Sequence, residues 1–493
     1  MRARLGPGLN WQLIVPVISG ATLAVGLGMA VCAAVALGDG ETTFLAFGAP
    51  AVVVLPLSVL GVLSARRLRS TPLRMRDGFF AVTAAWVAAA LVGAIPFLLQ
   101  GTFDRPVDAI FESMSGFTTT GATLLFDIEA EPDAILLWRS LMQWLGGVGI
   151  VVLVVAIAPA TGMATQRVFY AETSGITADR LTPRIADTAK IIWTVYLTLT
   201  ALGFAAYAIA GMSPWDALNH VFTTVATGGF STKNASIAAF DSVAIEMVAI
   251  VFMIAGAINF AFYWLALRGR NRIWPQAAEV RAFLLILVAA VAIVTASLLA
   301  LDDLAFGESL RSAGFTVVSL TTSTGYTTVD FDAWNDFARL GLVVLMFVGA
   351  CAGSTAGGMK VIRVMLLGRA AGQEVQRQIQ PKAVQVLRVR GRVYGEEVRR
   401  GVFGFFYIYM TVAFIGTLAM AASGLDMISA FASVAATINL VGPGLGEVGA
   451  TDNYAAVSDG GRAVLAALML IGRLEVFTVL VLLTPAFFRR GLA

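Results

Sequence analysis

Four glycines recur at similar intervals along the chain, each at the end of a short segment that separates two apolar runs. They are Gly121, Gly229, Gly325 and Gly442. Glycine permits a positive φ angle, so such a segment can turn successive carbonyl oxygens to one side, and β-branched threonines stiffen the residues before it. Four segments that meet at one axis would offer rings of oxygens in place of a cation's hydration shell. The chemistry that these residues favour is therefore coordination of a dehydrated cation.

The oxygens predicted to face the ion belong to the two residues before each glycine. These residues are Thr119, Thr120, Thr227, Gly228, Ser323, Thr324, Leu440 and Val441. In the second segment, either Gly228 or Gly229 could be the turning residue. The count from His220 to Phe230, and the match between Phe230 and Tyr326 of the third segment, favour Gly229.

The regions that carry these glycines share one pattern. Each begins with an acidic residue, continues as a short amphipathic helix and a stretch of threonine, serine or small residues, and reaches the glycine near its end. The regions are residues 108–124, 216–235, 308–329 and 426–449. Backbone that is not helical is tolerated at membrane depth only where it is buried in protein or lines a hydrated cavity. The pattern therefore predicts four re-entrant pore loops, each between two spanning helices.

The composition indicates a protein that lies mostly within a membrane. Of 493 residues, 58% are apolar and 13% are charged, whereas soluble domains carry roughly 25% charged residues. A spanning helix needs about 20 apolar residues, and the apolar runs predict ten spans. They lie near residues 11–37, 42–64, 78–100, 134–159, 186–211, 242–267, 281–301, 337–368, 401–422 and 461–488. Two cysteines and one histidine exclude a metal site built from those residue types.

The positions of the charges predict the orientation. With both termini in the cytoplasm, 27 of the 34 lysine and arginine residues fall in cytoplasmic segments, as the positive-inside rule requires. Most acidic residues then lie outside.

The predicted fold class is an all-α polytopic membrane protein with two leading transmembrane helices plus four pseudo-symmetric helix–pore loop–helix repeats around one central pore. The leading helices occupy residues 1–70. The four repeats occupy residues 71–165, 166–275, 276–380 and 381–493, the third with an intramembrane gating loop.

An arginine inside the tenth predicted span indicates a functional position. Arginine at the centre of a spanning helix costs at least ~2.5–3.5 kcal/mol on insertion scales. An internal salt bridge from Arg473 to Glu475, or to a carboxylate of another span, would relieve this cost. Glu475 is a poor partner within the same helix, because residues i and i+2 do not share a helix face. We therefore expect Arg473 to face the pore below the glycines, where its charge hinders cation passage.

The eighth predicted span is interrupted by residues that disfavour a helix. They are Gly349, Gly353, Gly357 and Gly358, followed by Lys360. Each glycine in a continuous helix costs roughly 1 kcal/mol relative to alanine, and a broken span that lines a cavity is a usual place for a gate. The alternative is that the glycines allow a straight helix to pack tightly. We expect a break and a gating loop over 349–360.

Two groups of charges remain open to more than one interpretation. Residues 369–400 contain eight basic residues and could contact anionic lipid or dock a cytosolic regulator. Glu112 and Glu447 lie near the glycine segments and could either concentrate cations or orient the pore helices.

The chain resembles the Trk/Ktr/HKT superfamily of potassium transporters, and within it the bacterial Trk branch. The motifs are SMSGFTTTGAT (113–123), TGGFST (227–232), TTSTGYTT (321–328), NLVGPGLGEVG (439–449), GACAGSTAGGMKVIR (349–363) and IGRLEVFT (471–478).

This resemblance implies K+ as the transported ion, a loop over 349–360 that occludes the cytoplasmic side of the pore, and a barrier at Arg473. It also implies a homodimer in the bacterial inner membrane and a cytosolic TrkA-like ring that binds NAD or ATP. The chain itself has no Walker A or dinucleotide motif, so no cofactor is expected on it, and no nucleic-acid partner is expected.

Three other functions are alternatives to potassium transport. A sodium-permeable member of the superfamily would carry serine at the first glycine in the plant-like branch, whereas all four positions here are glycine. A secondary solute carrier typically has an inverted repeat, and an intramembrane enzyme needs a catalytic constellation that the spans lack. Whether conduction is channel-like or coupled to protons or sodium stays open.

Overall fold

Two long helices lead the chain and pack outside the four repeats. The computed structural model describes residues 9–38, 40, 42–64, 75–157, 185–267, 274–381, 387–389 and 392–488. Helix α1 is Trp11–Gly38 and α2 is Phe44–Ser64. They pack on each other, and α1 also packs on the long helices of the first repeat.

The first two repeats each combine long helices with one short helix that enters the protein and turns back. In the first repeat the helices are α3 (Met75–Gly93), α4 (Ile95–Gln100), α5 (Pro106–Phe117) and α6 (Asp133–Ile157). In the second repeat they are α7 (Ile185–Ile209), α8 (Pro214–Val225), α9 (Val243–Ala257) and α10 (Phe260–Leu267).

The last two repeats follow the same order, with a small hairpin between them. The third repeat consists of α11 (Trp274–Leu301), α12 (Phe306–Thr321), α13 (Asp336–Val348) and α14 (Val361–Ile379). The hairpin strands are β1 (Leu387–Val389) and β2 (Arg392–Tyr394), antiparallel with Leu387 opposite Tyr394. The fourth repeat consists of α15 (Glu396–Ala422), α16 (Met427–Ile438), α17 (Asp459–Arg473), α18 (Phe477–Leu483) and α19 (Pro485–Phe488).

The four short helices α5, α8, α12 and α16 form a closed ring. Each packs against the second long helix of the preceding repeat: α8 on α6, α12 on α9, α16 on α13, and α5 on α17. The last of these contacts joins the fourth repeat to the first. The predicted fold class, two leading helices and four repeats around one centre, is confirmed; the two-stranded hairpin is the one departure from an all-α chain among the described residues.

Local sequence determines where the short helices begin. Pro106 and Pro214 occupy first-turn positions, where a missing N–H is harmless. The Ser213 hydroxyl accepts a hydrogen bond from the Asp216 N–H, and the Asp426 carboxylate accepts from the N–H groups of the first turn of α16. Hydrogen bonds from Ser429 and the helix backbone lower the pKa of the Asp426 carboxyl.

The spanning helices are less regular than the sequence suggested. Six described helices are long and apolar enough to cross a membrane, and two further pairs qualify only as broken spans. The spans expected near 242–267 and 461–488 bend by 91° between α9 and α10 and by 119° between α17 and α18. At the second bend, Glu475 and Val476 have φ angles of 55° and 59°, which end the helix.

Some predictions concern residues outside the described ranges. The basic loops within 65–74, 158–184 and 268–273, and the boundaries expected near 70 and 165, lie there. In the basic stretch 369–400, α14 continues to Ile379 and the hairpin packs against it, so this region is partly folded and is not simply a loop.

One buried ion pair links the last repeat to the first, and its removal gives a test of ring closure. The Arg462 guanidinium on α17 donates to the Asp108 carboxylate on α5, and both side chains are largely buried. We expect Asp108→Asn to destabilise the purified protein by roughly 3–5 kcal/mol, because it removes the buried carboxylate partner of Arg462 and leaves only the half-exposed Asp459, at 3.8 Å. Thermal unfolding in detergent measures this loss. Asp459→Asn, in the same cluster but half exposed, is the control; equal effects would contradict the special role of this pair.

Candidate functional site

The four glycine segments share one backbone conformation. The φ angle is negative at the first residue after each short helix and lies between 53° and 60° at the second. It is positive again, between 79° and 92°, at the glycine, which is the fourth residue after the helix. The non-glycine residues in this left-handed region are Thr119, Thr227, Ser323 and Leu440. Such a conformation costs about 1–3 kcal/mol at each residue, so the surrounding structure must impose it.

Hydrogen bonds to the short helices impose this conformation. In each segment, the left-handed residue donates its N–H to the carbonyl three positions earlier, and the next residue donates to the carbonyl five positions earlier, at 2.8 to 3.2 Å. Thr119 and Thr120, for example, donate to Gly116 and Ser115. The N–H groups are therefore turned towards the helices, and the carbonyl groups are left for the opposite side.

The four glycines bring the segments together at one centre. A β-carbon built on any of them would collide with the carbonyl group that precedes the glycine of the next segment. The distances to that oxygen are 2.2 Å from Gly121 to Gly228, 1.9 Å from Gly229 to Thr324, 1.9 Å from Gly325 to Val441, and 2.8 Å from Gly442 to Thr120. The order runs from the first segment to the fourth and back to the first, so the oxygens form a closed ring that only glycine permits.

The same geometry distinguishes the two glycines of the second segment. Gly229 has a φ of 79°, like the glycines of the other three segments, whereas Gly228 lies outside the left-handed region. Gly229 therefore occupies the repeat-equivalent position, which is the alternative that the sequence favoured.

A buried ion pair between Glu112 and Arg139 contacts the residues that follow the first two glycines. The Glu112 carboxylate accepts hydrogen bonds from Arg139 Nε at 2.9 Å, from the Thr123 hydroxyl at 2.9 Å and from the Leu124 N–H at 3.0 Å. Arg139 also donates to the Ser231 carbonyl at 3.2 Å. Of the two interpretations of Glu112, the geometry favours orientation of the segment. Glu447, by contrast, is exposed.

The interrupted span forms a loop directly against the inner ends of the segments. The Thr227 hydroxyl donates to the Thr355 hydroxyl at 3.2 Å, and the Gly357 N–H donates to the Ser323 hydroxyl at 2.6 Å. A β-carbon on Gly357 would lie 2.1 Å from the Asn439 carbonyl oxygen. Residues 355–357 thus contact the second, third and fourth segments.

Contacts at both ends hold this loop. The buried Glu279 carboxylate on α11 accepts from the Ala352 N–H at 2.9 Å and from the Ile362 N–H at 3.3 Å. At the break between α9 and α10, the Phe260 N–H donates to the Gly353 carbonyl at 3.3 Å. The predicted glycines Gly349 and Gly358 approach each other closely where the loop begins and ends.

Arg473 joins the first segment to the loop. Its guanidinium donates to the Thr119 hydroxyl at 2.9 Å, to the Thr355 carbonyl at 2.8 Å and to the Gly146 carbonyl at 2.9 Å. Arg473 is only 2% exposed.

The carboxylate near Arg473 has another partner. Glu475 pairs with Arg363 at 2.7 Å, and the Arg363 guanidinium lies 3.8 Å from the centre of the Phe405 ring. Glu475 is thus paired with an arginine of α14, a different helix from the one that carries Arg473. Lys360 is buried close by and donates to the Ala356 carbonyl.

Several residues of this site were missed from the sequence. They are Arg139, Glu279, Thr355 and Gln143, whose amide donates to the Gly228 carbonyl at 2.7 Å. Arg139 lies inside the predicted span 134–159, so its charge was a usable signal of the kind applied to Arg473. The uncharged Gln143 and Thr355 gave no such signal, because their importance depends on which backbone groups they meet.

The donor atoms at the centre are backbone oxygens. No group of three or more histidine, cysteine or acidic residues that could hold a metal ion occurs within the described ranges. Rings of neutral carbonyl oxygens suit a transported alkali cation, because such an ion must bind well enough to enter the site and weakly enough to leave it.

Comparison with known proteins agrees with this architecture. A family model described as "TrkH: Cation transport protein" matches residues 51–489. The Trk system potassium uptake protein TrkH of Halomonas elongata is 42% identical over 421 residues, covering 85% of this chain and 87% of that protein. TrkI of the same organism is 35% identical and covers 98% of both chains.

A solved structure extends the agreement to three dimensions. The crystal structure of the potassium transporter TrkH from Vibrio parahaemolyticus matches with a TM-score of 0.87 and 37% identity, covering 98% of this chain and 100% of the other. These relatives are transport proteins and not enzymes. With four glycine segments closed into a ring inside a multi-pass helical protein, the chain belongs to the TrkH family of cation transport proteins.

Proposed function

We propose that this protein takes up K+ across the bacterial inner membrane and selects it at the ring of four glycine segments. The observation that carries the proposal is the cyclic close approach of each glycine to the carbonyl oxygen of the next segment. Relatives named as potassium uptake proteins support the choice of ion. In this proposal, the carbonyls of residues 119–120, 227–228, 323–324 and 440–441 replace the water around K+.

Sodium permeation is the second candidate. A smaller ion would need the oxygens to move inwards, and the hydrogen bonds from each segment to its short helix oppose that movement. Glycine at position 121 also favours K+, since a serine there accompanies sodium preference in the plant-like branch of the superfamily.

The loop 349–360 is the proposed gate, and Arg473 is its inner barrier. The loop lies against three segments directly and reaches the first through Arg473. An ion leaving the ring towards the inside would meet the loop together with the Arg473 guanidinium, which bridges the loop and the first segment. Opening requires the loop to leave Thr227, Ser323 and Asn439.

The proposed assembly is a homodimer with cytoplasmic termini, controlled by a TrkA-like ring that binds NAD or ATP. The partly folded region 369–400, which follows the gating loop through α14, offers a path from a cytosolic partner to the gate. The superfamily resemblance supports the dimer and the ring.

Transport by purified protein in liposomes tests the function. We expect K+ flux that exceeds Na+ flux under the same gradient, and growth of a bacterium lacking its own K+ uptake systems when the chain is expressed at low K+. Equal fluxes of the two ions would favour the sodium-permeable alternative, and absence of both ion fluxes would contradict the proposal.

Gly121→Ser tests the ring. A β-carbon at this position would lie 2.2 Å from the Gly228 oxygen, so the segments must separate. We expect the ratio of K+ to Na+ flux to fall by about tenfold, equivalent to about 1.4 kcal/mol of lost discrimination. Gly101→Ser is a matched control, because Gly101 also has a φ of 82° but no atom within 4 Å of its β-carbon position. An unchanged ratio in Gly121→Ser would remove Gly121 from the filter.

Arg473→Ala tests the barrier. The change removes a charge below the ring and the bridge between Thr119 and Thr355. We expect K+ flux to rise by roughly tenfold, the effect of lowering a barrier by about 1.4 kcal/mol. Arg473→Lys keeps the charge but cannot reach three acceptors in one plane. Its K+ flux should lie between those of the wild type and Arg473→Ala. A slower flux in Arg473→Ala, at equal protein in the liposomes, would contradict the barrier.

A further inference from the structure

The second glycine segment differs from the others at one position. Residues Thr120, Thr324 and Val441 precede the glycines of the other three segments, whereas the second segment has Gly228. The two threonine hydroxyls each bond at 2.8 Å to the threonine hydroxyl two residues earlier, in Thr118 and Thr322. Gly228 has no side chain that could stabilise its segment in this way.

A glutamine from α6 occupies the place of the missing side chain. Gln143 is fully buried, its Nε2 donates to the Gly228 carbonyl at 2.7 Å, and its Oε1 accepts from the Phe230 N–H at 3.1 Å. A carbonyl can only accept and an N–H can only donate, so these partners allow one orientation of the amide. The glutamine holds the segment on both sides of Gly229.

Gln143 leaves room only for glycine at position 228. A β-carbon on Gly228 would lie 2.4 Å from Cδ and from Oε1 of Gln143. The φ angle of Gly228 lies outside the left-handed region, so the backbone alone would tolerate a side chain there. Gln143 is therefore what excludes one.

The neighbours of Gln143 on the same face of α6 also contact residues at or next to the glycine segments. One turn earlier, Arg139 binds the Ser231 carbonyl and stacks its guanidinium 4.1 Å from the centre of the Phe230 ring. One turn later, the Gly146 carbonyl accepts from Arg473. Phe230 is thus held by its backbone through Gln143 and by its ring through Arg139.

We propose that Gln143 is a positioning residue of the filter that sets ion selectivity through the Gly228 carbonyl. The inference rests on the proposed function. Of the four oxygens at this level, the Gly228 oxygen has an amide donor at hydrogen-bond distance, which fixes its direction and reduces its strength as a cation ligand. Discrimination between K+ and Na+ depends on the number and field strength of such oxygens and on how freely they move. Loss of the amide frees this oxygen.

Two substitutions separate this role from packing. Gln143→Leu keeps the approximate volume and removes both hydrogen bonds, and Gln143→Glu keeps the acceptor for Phe230 but places an acceptor against the Gly228 oxygen. We expect each to lower the ratio of K+ to Na+ flux in liposomes by about tenfold, the factor given by one net hydrogen bond of about 1.4 kcal/mol. Met142→Leu, also fully buried and adjacent, should leave the ratio unchanged.

A second pair of variants tests the same contact, because recovery of K+ flux in the double variant is not expected from a loss of stability. Gly228→Ala alone should reduce K+ flux to less than about a tenth, because the β-carbon meets the buried amide. Combined with Gln143→Ala, the same change should recover K+ flux, with a lowered K+ to Na+ ratio. Equal loss of flux in the single and double variants would overturn the inference. This test remains decisive if neither Gln143→Leu nor Gln143→Glu yields folded protein.

The outcomes distinguish this inference from the proposed function. A wild-type protein that does not prefer K+ would contradict the proposed function itself. A selective wild type together with folded Gln143→Leu and Gln143→Glu variants of unchanged ratio would overturn the role of Gln143 and leave the proposed function intact.

Discussion

The central constraint on this protein is that backbone inside a membrane has no water to bind. Each glycine segment meets the constraint for the N–H groups of the two residues before the glycine, which donate to carbonyls near the end of its short helix. That solution leaves the segment's own carbonyl groups on the other side, where, in the proposed function, a permeating cation binds them. The ring of oxygens and the left-handed residues Thr119, Thr227, Ser323 and Leu440 are thus two consequences of one requirement.

The backbone of the ring is fourfold, but the support behind it differs at each junction between segments. The first and second segments are joined by Glu112 and Arg139. The second and third are joined by the Tyr326 hydroxyl, which meets the hydroxyls of Thr223 and Thr224. The remaining two junctions use Asp332, which accepts from the Gly446 N–H, and Tyr454, which donates from its N–H to the Thr123 carbonyl and from its hydroxyl to the Gly442 carbonyl. Each corner can therefore be altered without its counterparts, which a true homotetramer does not allow.

Sequence alone predicted the repeat well, because the repeat depends on features that recur along the chain: apolar runs and glycines. It also placed the interruption at 349–360 and assigned the equivalent glycine to Gly229. It did not predict the bends at α9–α10 and α17–α18, where the contacts come from distant parts of the chain. At the first bend the Phe260 N–H donates to the Gly353 carbonyl, and at the second Glu475 pairs with Arg363. Gln143 and Glu279 were equally hidden, because each binds backbone groups that are distant in the chain and carry no sequence signal.

The most direct test of ion binding by the four segments is to locate the ion in the structure. Crystals of the protein grown with Rb+ or Tl+ in place of K+ would reveal bound ions by anomalous scattering. We predict peaks on the axis enclosed by Thr120, Gly228, Thr324 and Val441, outside the loop 349–360. Peaks confined to the protein surface, with none inside the ring, would contradict the claim that these four segments coordinate the transported ion.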